Sequence, residues 1–336
     1  MDEYQEWLRC TAATAGNDHR LGADEAPPAI ISIFLGDELD AVIRSIVDGT
    51  SYTDLENSVM KIGVDVMPTI SRDTTDRNRT SPIAFTGNKF EFRMLGSSQS
   101  VSGPNIALNT IMAEELSRFA DELEKAEDFE KALQELVCRE FRAHQRILFG
   151  GNGYSQQWKE EAAKLGLSNL PSTADAMPLY VSQKNIDLVT KHGIFAEDEF
   201  RARYEIHMEN YAKVINIEAL TSIDMIRHQI LPAAIKYTGH LAEVIANKNR
   251  IGVSCKAERD LVDRLSTATD KLYEYCEKLD ADLKKVPVGD YTAAAKYYSD
   301  VIIKDMNLAR EQADLLETFT DKAYWPYPTY SDLLFY

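Results

Sequence analysis

The order of apolar and polar positions predicts strand segments in the first third of the chain and helices afterwards. Residues 29–36 form a nearly continuous apolar run, which predicts a strand buried on both faces. Residues 1–16 predict the last part of a helix, and an amphipathic pattern predicts a second helix from Asp37 to Gly49. Residues 50–75 are polar and irregular, which indicates an insertion before the next strand.

The clearest strand pattern lies at residues 89–94, where Lys89, Glu91 and Arg93 alternate with Phe90, Phe92 and Met94. This period of two predicts one polar face and one buried apolar face. Side chains on one face of a strand lie about 7 Å apart, so two cations around a carboxylate can hold an anion, or a metal beside an anion. A solvated row of surface ion pairs accounts for the same pattern, and both interpretations stay open on the strand alone.

A helical pattern follows the Gly/Ser-rich loop 95–104, and its glutamates, Glu114 among them, are predicted to face solvent. Beyond residue 125, amphipathic helices follow one another between short breaks. The longest runs from about Ala196 to Gln229, and Leu231-Pro232 is predicted to break or kink it. The aromatic tail at 324–330 is predicted to dock on a neighbouring surface.

Charge narrows the classes of function. The 336 residues include 54 acidic and 37 basic side chains, for a net charge of -17. This balance argues against a nucleic-acid or anionic-membrane surface but allows an anionic substrate at a local cation cluster. The four cysteines show no paired or metal-binding spacing, which predicts reduced thiols in a cytoplasmic protein. The acidic start does not have the pattern of a signal peptide, and no apolar run is long enough to span a membrane.

Two acid–histidine pairs, Glu140/His144 and Asp224/His228, have helical i,i+4 spacing. They could share a metal, but a salt-bridged surface pair is the favoured interpretation. The segment 151–153 is predicted to be a turn rather than a phosphate-binding loop, because no Lys-Ser/Thr follows it.

The remaining candidates lie in the first third of the chain. Loop 17–28 supplies Arg20 and Glu25, although its composition also fits an ordinary surface turn. Arg79 comes from a second loop, and the strand adds its own three charged residues. Four cations and two carboxylates suit phosphoryl transfer, which needs cations on phosphate oxygens, a carboxylate-bound divalent ion and a group that positions the nucleophile.

Three segments, at 17–28, 78–80 and 85–93, closely resemble glutamine synthetase, and its type III branch in particular. The resemblance implies condensation of L-glutamate with ammonia (bound as ammonium) through a γ-glutamyl phosphate, with ATP as co-substrate and Mg²⁺ or Mn²⁺ as metal. It also implies a ring-type homo-oligomer. The implied fold is α+β: residues 1–125 form the C-terminal part of the antiparallel catalytic barrel, and residues 126–336 form an all-α helical domain.

The resemblance also assigns roles to single residues. Glu91 resembles a ligand of the metal at the nucleotide phosphates. Arg20 and Arg93 resemble contacts to glutamate, and Glu25 resembles the flap carboxylate that shields the intermediate and takes a proton from ammonium. Arg79 resembles a phosphate contact near the transferred group. Lys89 stands where the family more often has Arg, and a Lys keeps the charge for phosphate binding but loses bidentate geometry.

The family's earlier segments have no counterpart in these residues. The sequence is therefore expected to represent a truncated C-terminal portion that is inactive alone. The alternative is a non-catalytic helical assembly or regulatory module whose sheet segment only packs against a partner.

Overall fold

The computed structural model describes residues 1–23, 25–26, 28–52, 59–60, 70–71 and 80–334, with backbone alone at 59–60, 70–71 and 330–331. The chain forms two compact units, residues 1–204 (unit 1) and 205–336 (unit 2). The predicted division at residue 125 concerns family segments, and it stays a prediction.

Short and medium helices build most of unit 1. They are α1 (Gln5–Cys10), α2 (Ala15–Asp18), α3 (Asp37–Asp48), α4 (Ser102–Leu123), α5 (Phe129–His144), α6 (Gln156–Lys164), α7 (Thr173–Ala176) and α8 (Gln183–Lys191). Single 3₁₀ turns at Gln145–Ile147 and Met177–Leu179 follow α5 and α7. The predicted helix at Asp37 is confirmed, and Gly49 ends it in the left-handed conformation (φ 66°) that glycine adopts without strain.

The strands are β1 (Ile33–Phe34), β2 (Val59–Met60), β3 (Ile70–Ser71), β4 (Ile83–Phe85) and β5 (Phe90–Phe92). β4 pairs antiparallel with β5 and parallel with β1, so the sheet β1-β4-β5 is mixed, and β2 pairs antiparallel with β3. A barrel stays a prediction. Glu91 lies directly opposite Ala84 in this register, which fixes the position of the predicted polar face.

Two predictions for the N-terminal segment are wrong in detail. Residues 1–16 contain α1 and the start of α2 rather than one continuing helix. In the apolar run 29–36, only Ile33–Phe34 is strand. Ile30 and Ile31 are almost fully buried, but Ile30 pairs only through an isolated bridge to Asn169. Burial without a regular neighbouring strand therefore produced the apolar pattern.

Glu114 corrects the predicted solvent-facing side of α4. Its side chain is 9% exposed, and its carboxylate pairs with Lys191 Nζ (2.7 Å) and His192 Nε2 (2.7 Å) at the end of α8. The hydrogen bond from Lys191 is the main cause that lowers the pKa of Glu114. The ion pair thus links two helices across the core of unit 1.

The longer helices are α9 (Glu197–Met225), within which the two units meet in sequence, α10 (Leu231–Arg250), α11 (Lys256–Leu283), α12 (Tyr291–Tyr297), α13 (Ile303–Phe319) and α14 (Tyr330–Leu334). A π-helical turn at Ile226–Ile230 connects α9 to α10, so the predicted interruption is a bulge rather than a break. The wider turn suits Pro232, which lacks the N–H of a regular helical hydrogen bond. A second π turn lies at Tyr298–Ile302.

The aromatic tail docks within unit 2, as predicted. Tyr324 contacts the rings of Tyr237 (5.2 Å between centroids) and His240 (5.9 Å) on α10. Among the described residues, no helix combines the length and apolar character needed to cross a bilayer.

Candidate functional site

The first part of the site is the charged row on β5, formed by Lys89, Glu91 and Arg93. Arg93 donates from Nε (3.3 Å) and Nη2 (3.0 Å) to Oε2 of Glu91, and Lys89 Nζ lies 3.5 Å from Oε1. These contacts confirm that the three side chains share one face of the strand. The β4–β5 hairpin holds them there, with Gly87 at φ 90° in the turn and Thr86 N donating to the Lys89 carbonyl (2.9 Å).

The electrostatics of this row keep Glu91 ionised. The hydrogen bond from Arg93 is the main cause that lowers the pKa of the Glu91 carboxyl, and the charges of Arg93 and Lys89 act in the same direction. The carboxylate is 39% exposed, whereas the Arg93 side chain is 21% exposed. An ionised carboxylate at a partly open surface can accept a cation, and the arginine beside it can accept an anion.

The opposite face of β5 departs from the prediction at one residue. Met94 is fully buried, but Phe90 is 53% exposed. Phe90 pairs with Phe85 at the turn end of the hairpin, where the two rings lie 5.2 Å apart. The apolar face is therefore buried only where other elements cover it.

The second part of the site is loop 17–26, of which residue 24 is not described. Arg20 Nε lies 3.5 Å from Oε1 of Glu25, and Glu25 is mostly exposed. Gly22, at φ 77°, allows the turn between them. Arg20 Nη1 also donates to Asn17 Oδ1 (2.8 Å), so the guanidinium is held from two sides.

The two parts meet at the backbone of Met94, the residue after Arg93. Its carbonyl accepts hydrogen bonds from Asn17 Nδ2 (2.8 Å) and Arg20 Nη1 (3.2 Å). Asn17 also donates to the Ala12 carbonyl (2.7 Å), and its side chain is buried. The structure therefore brings loop 17–26 against the end of β5, although about 75 residues separate them in the sequence.

Arg79 lies outside the described residues. Its neighbour Thr80 contacts the turn at 151–153: Gly153 N donates to Thr80 Oγ1 (2.9 Å). A Cβ atom at Gly153 would lie 2.4 Å from the Thr80 carbonyl oxygen, so only glycine permits this approach. The predicted turn thus has a structural role beside the Arg79 segment.

A buried charge cluster behind loop 17–26 was missed at the sequence level. Asp18 accepts hydrogen bonds from Thr173 N (2.7 Å) and Thr173 Oγ1 (2.8 Å), and it lies 3.9 Å from Arg9 Nη2. Arg9 is 1% exposed and donates to the carbonyls of Leu170 (2.8 Å) and Pro171 (3.3 Å). The only sequence signal was a lone arginine in the apolar helix Trp7-Leu8-Arg9-Cys10.

Burial dominates the ionisation of both charged groups in this cluster. It raises the pKa of Asp18 to about 6, against the lowering effects of the Thr173 hydrogen bonds and the Arg9 charge. Burial also lowers the pKa of Arg9. Both pKa shifts therefore indicate that the attraction between Arg9 and Asp18, which lie 3.9 Å apart, only partly offsets their loss of hydration.

The histidine of each acid–histidine pair contacts a carboxylate in this structure. His144 lies 3.5 Å from Glu140 and 2.8 Å from the buried Asp2, and His228 lies 2.8 Å from Asp224 on an exposed surface. Within the described part of the chain, His, Cys, Asp and Glu side chains form no group of three or more that could hold a metal ion. The metal ligand role of Glu91 stays a prediction.

Comparison with known proteins shows what the chain is similar to. Residues 132–249 match the glutamine synthetase C-terminal domain. Over its whole length, the chain is 39% identical to a glutamine synthetase of Butyrivibrio fibrisolvens, of which it covers 48%. It is 38% identical to the type-3 glutamine synthetase of Dictyostelium discoideum (47% covered) and 35% identical to a glutamine synthetase of Bacteroides fragilis strain YCH46 (48% covered).

The small mixed sheet carries the charged row, and the matched helical region follows it in the sequence. Over its whole length the chain is similar to glutamine synthetases, one of them named type-3, as the resemblance of its motifs predicted. It spans about half the length of the relatives that it matches.

Proposed function

We propose that this chain contributes to the ATP-dependent ligation of ammonia to L-glutamate through a γ-glutamyl phosphate. The observation that carries the proposal is the ionised carboxylate of Glu91, held between Arg93 and Lys89 next to the Arg20–Glu25 loop. Phosphoryl transfer is accelerated mainly by fixed charges around the transferred group, and such a cluster supplies them.

The roles proposed for the residues are those that the resemblance of their segments implies. Arg93 and Arg20 bind the glutamate substrate, and Lys89 binds phosphate oxygens of the nucleotide as a point charge. Arg79 contacts the transferred phosphate, by the resemblance of its segment. Glu25, exposed and 3.5 Å from Arg20, shields the intermediate and takes a proton from ammonium.

Glu91 fits a divalent metal such as Mg²⁺ or Mn²⁺ as one carboxylate ligand. Its pKa is lowered, so it offers charged oxygen at neutral pH, which is the donor that these ions prefer. When bound, the ion neutralises charge on the nucleotide phosphates. Arg93 keeps the Glu91 carboxylate oriented from one side, through donors at 3.0 and 3.3 Å.

The same proposal includes the larger assembly. In it, the sheet β1-β4-β5, whose parallel β1–β4 pair departs from the all-antiparallel arrangement expected from the sequence, belongs to a catalytic barrel that ends near residue 125, and residues 126–336 form the helical extension. The protein works in the cytoplasm as a ring-type homo-oligomer, without nucleic acid or membrane contact. The family relationship and the acidic net charge support this part.

Glu91→Gln tests the central role. The substitution keeps the size of the side chain but removes the charge that binds the metal and replaces one of the two acceptor oxygens. The assay combines this chain with a polypeptide that supplies the remaining part of its relatives' length. In this assembly we expect glutamine formation to fall at least 100-fold (about 2.7 kcal/mol or more in transition-state stabilisation). Mn²⁺ affinity, followed by the paramagnetic resonance of free Mn²⁺, should weaken in parallel.

Glu122→Gln is the matched control. Glu122 also has a lowered pKa and a short arginine contact, to Arg139 Nη2 at 2.7 Å, but it lies on the exposed surface of α4. Activity and Mn²⁺ binding should stay within about twofold of the parent enzyme. Unchanged metal binding and turnover in Glu91→Gln would remove the basis of the proposal. If neither the parent enzyme nor its variants formed glutamine in an ATP-dependent way, the non-catalytic alternative would be favoured.

A further inference from the structure

The cluster of Arg9, Asp18 and Thr173 joins three segments of unit 1 that are far apart in sequence. Asp18 is the last residue of α2 and lies in segment 17–26, Thr173 opens α7, and Arg9 lies on α1. Arg9 also binds the backbone just before α7, at Leu170 and Pro171. We propose that Asp18 is a positioning residue for Arg20, and that it ties the substrate-binding loop to the helical segment 170–176.

The geometry supports a direct mechanical link. Asp18 and Arg20 are separated by one residue. The preceding residue, Asn17, donates from its side-chain amide to the carbonyls of Ala12 and Met94, and its amide oxygen accepts a hydrogen bond from Arg20. Backbone hydrogen bonds from Arg20 N (3.1 Å) and Leu21 N (2.9 Å) to the Asn17 carbonyl stiffen the turn. A displacement of Asp18 from Thr173 therefore moves Arg20 relative to Met94.

The cluster retains two charges in a place where burial is costly. Desolvation opposes ionisation of Asp18 and of Arg9. In other proteins, replacing a buried ion pair by apolar residues of similar size is often possible without loss of stability. A carboxylate can accept the Thr173 amide and hydroxyl hydrogen bonds at once, through its two oxygens. This double contact fixes direction as well as distance, which is what a positioning residue requires.

The role given to Arg20 rests on the proposed function, and the expected effect is specific to one substrate. Without the Asp18 carboxylate, Arg20 should be less well placed for glutamate, whereas nucleotide binding should be untouched. In Asp18→Asn we expect the glutamate KM to rise about tenfold, with the KM for ATP and kcat within about twofold.

Protonation of Asp18 should have the same consequence. The charged groups that act on the cluster are Arg9 of α1, His19 of the loop and Asp175 of α7. As the pH falls through about 6, Asp18 gains a proton, the attraction to Arg9 is lost, and the glutamate KM of the parent enzyme should rise. This step should be absent in Asp18→Asn, in which His19 and Asp175 are retained.

The kinetic test uses this chain together with a polypeptide that supplies the remaining part of its relatives' length. Hydrogen exchange on this chain is an independent measurement. Amides of residues 20–23 should exchange at least tenfold faster in Asp18→Asn and in Thr173→Val, which removes one hydroxyl donor. Thr173→Ser should restore parent values. Thr190→Val is the control, because its hydroxyl donates only within its own helix, to Ile186 (2.8 Å) and Asp187 (3.2 Å).

Two results would overturn the inference. One is unchanged exchange at residues 20–23 in both Asp18→Asn and Thr173→Val. The other is an equal rise of both KM values with a fall in kcat, since that pattern indicates general damage to the fold. If the parent enzyme made no glutamine, the proposed function would fail, but the exchange measurement would still decide whether Asp18 positions the loop.

Discussion

The proposed site depends on one carboxylate, that of Glu91. Its contacts are unequal: Arg93 reaches one oxygen through two nitrogens at 3.0 and 3.3 Å, whereas Lys89 lies 3.5 Å from the other. The arginine fork therefore determines how readily Glu91 ionises, and the lysine contributes less. Arg93→Gln should raise the pKa of Glu91 toward its ordinary value of 4.5, and Lys89→Gln should raise it by a smaller amount. A pH titration of the Glu91 carboxyl ¹³C resonance measures both, and equal effects would contradict this ranking of the two contacts.

Charged contacts join helices that are far apart in the sequence. Glu114 of α4 contacts Lys191 and His192 at the end of α8. Glu114 has a lowered folded-state pKa, so its contribution is present above the ordinary pKa of 4.5 and is lost as the pH falls through the lower folded value. Glu114→Ala should reduce the stability of unit 1 at pH 7 by about 1–3 kcal/mol, and the difference should shrink below about pH 4.

Urea unfolding followed by tryptophan fluorescence measures this effect. In a Trp325→Phe background, the signal reports Trp7 and Trp158, which are both 2% exposed in unit 1. Glu124→Ala, just beyond the end of α4, is the exposed control and should change stability by no more than about 0.5 kcal/mol. A loss that persisted unchanged at pH 3 would show that packing, rather than the ion pair, explains the effect.

At the scale of the whole molecule, the chain covers about half the length of its relatives. Mg²⁺ takes about six oxygen ligands, of which Glu91 supplies at most two. We therefore expect this chain alone to form glutamine at least 100-fold more slowly than the same chain mixed with a polypeptide that supplies the remaining part of the relatives' length. Coupled assays of glutamine and phosphate release, with sedimentation velocity on the same samples, measure activity and association together. Robust synthesis by the chain alone would refute this expectation.

Local periodicity was enough to predict the elements whose neighbours are adjacent in sequence. The alternation at 89–94 correctly predicted the charged face of β5, because the β4–β5 hairpin forms from nearby residues. The helix at Asp37 followed in the same way from its amphipathic pattern and from Gly49. The motif loops predicted the family, which the comparisons confirm.

Tertiary structure alone decided which charged residues lie inside and which distant segments meet. Glu114, Arg9 and Asp18 are ordinary surface types by sequence, yet each is buried or nearly so and lies within 4 Å of an oppositely charged side chain from another helix. Phe90 is apolar but exposed at the turn end of the hairpin, where it contacts the ring of Phe85. The contact of Asn17 and Arg20 with Met94 depends on how the chain returns to itself, and no local pattern encodes that distance.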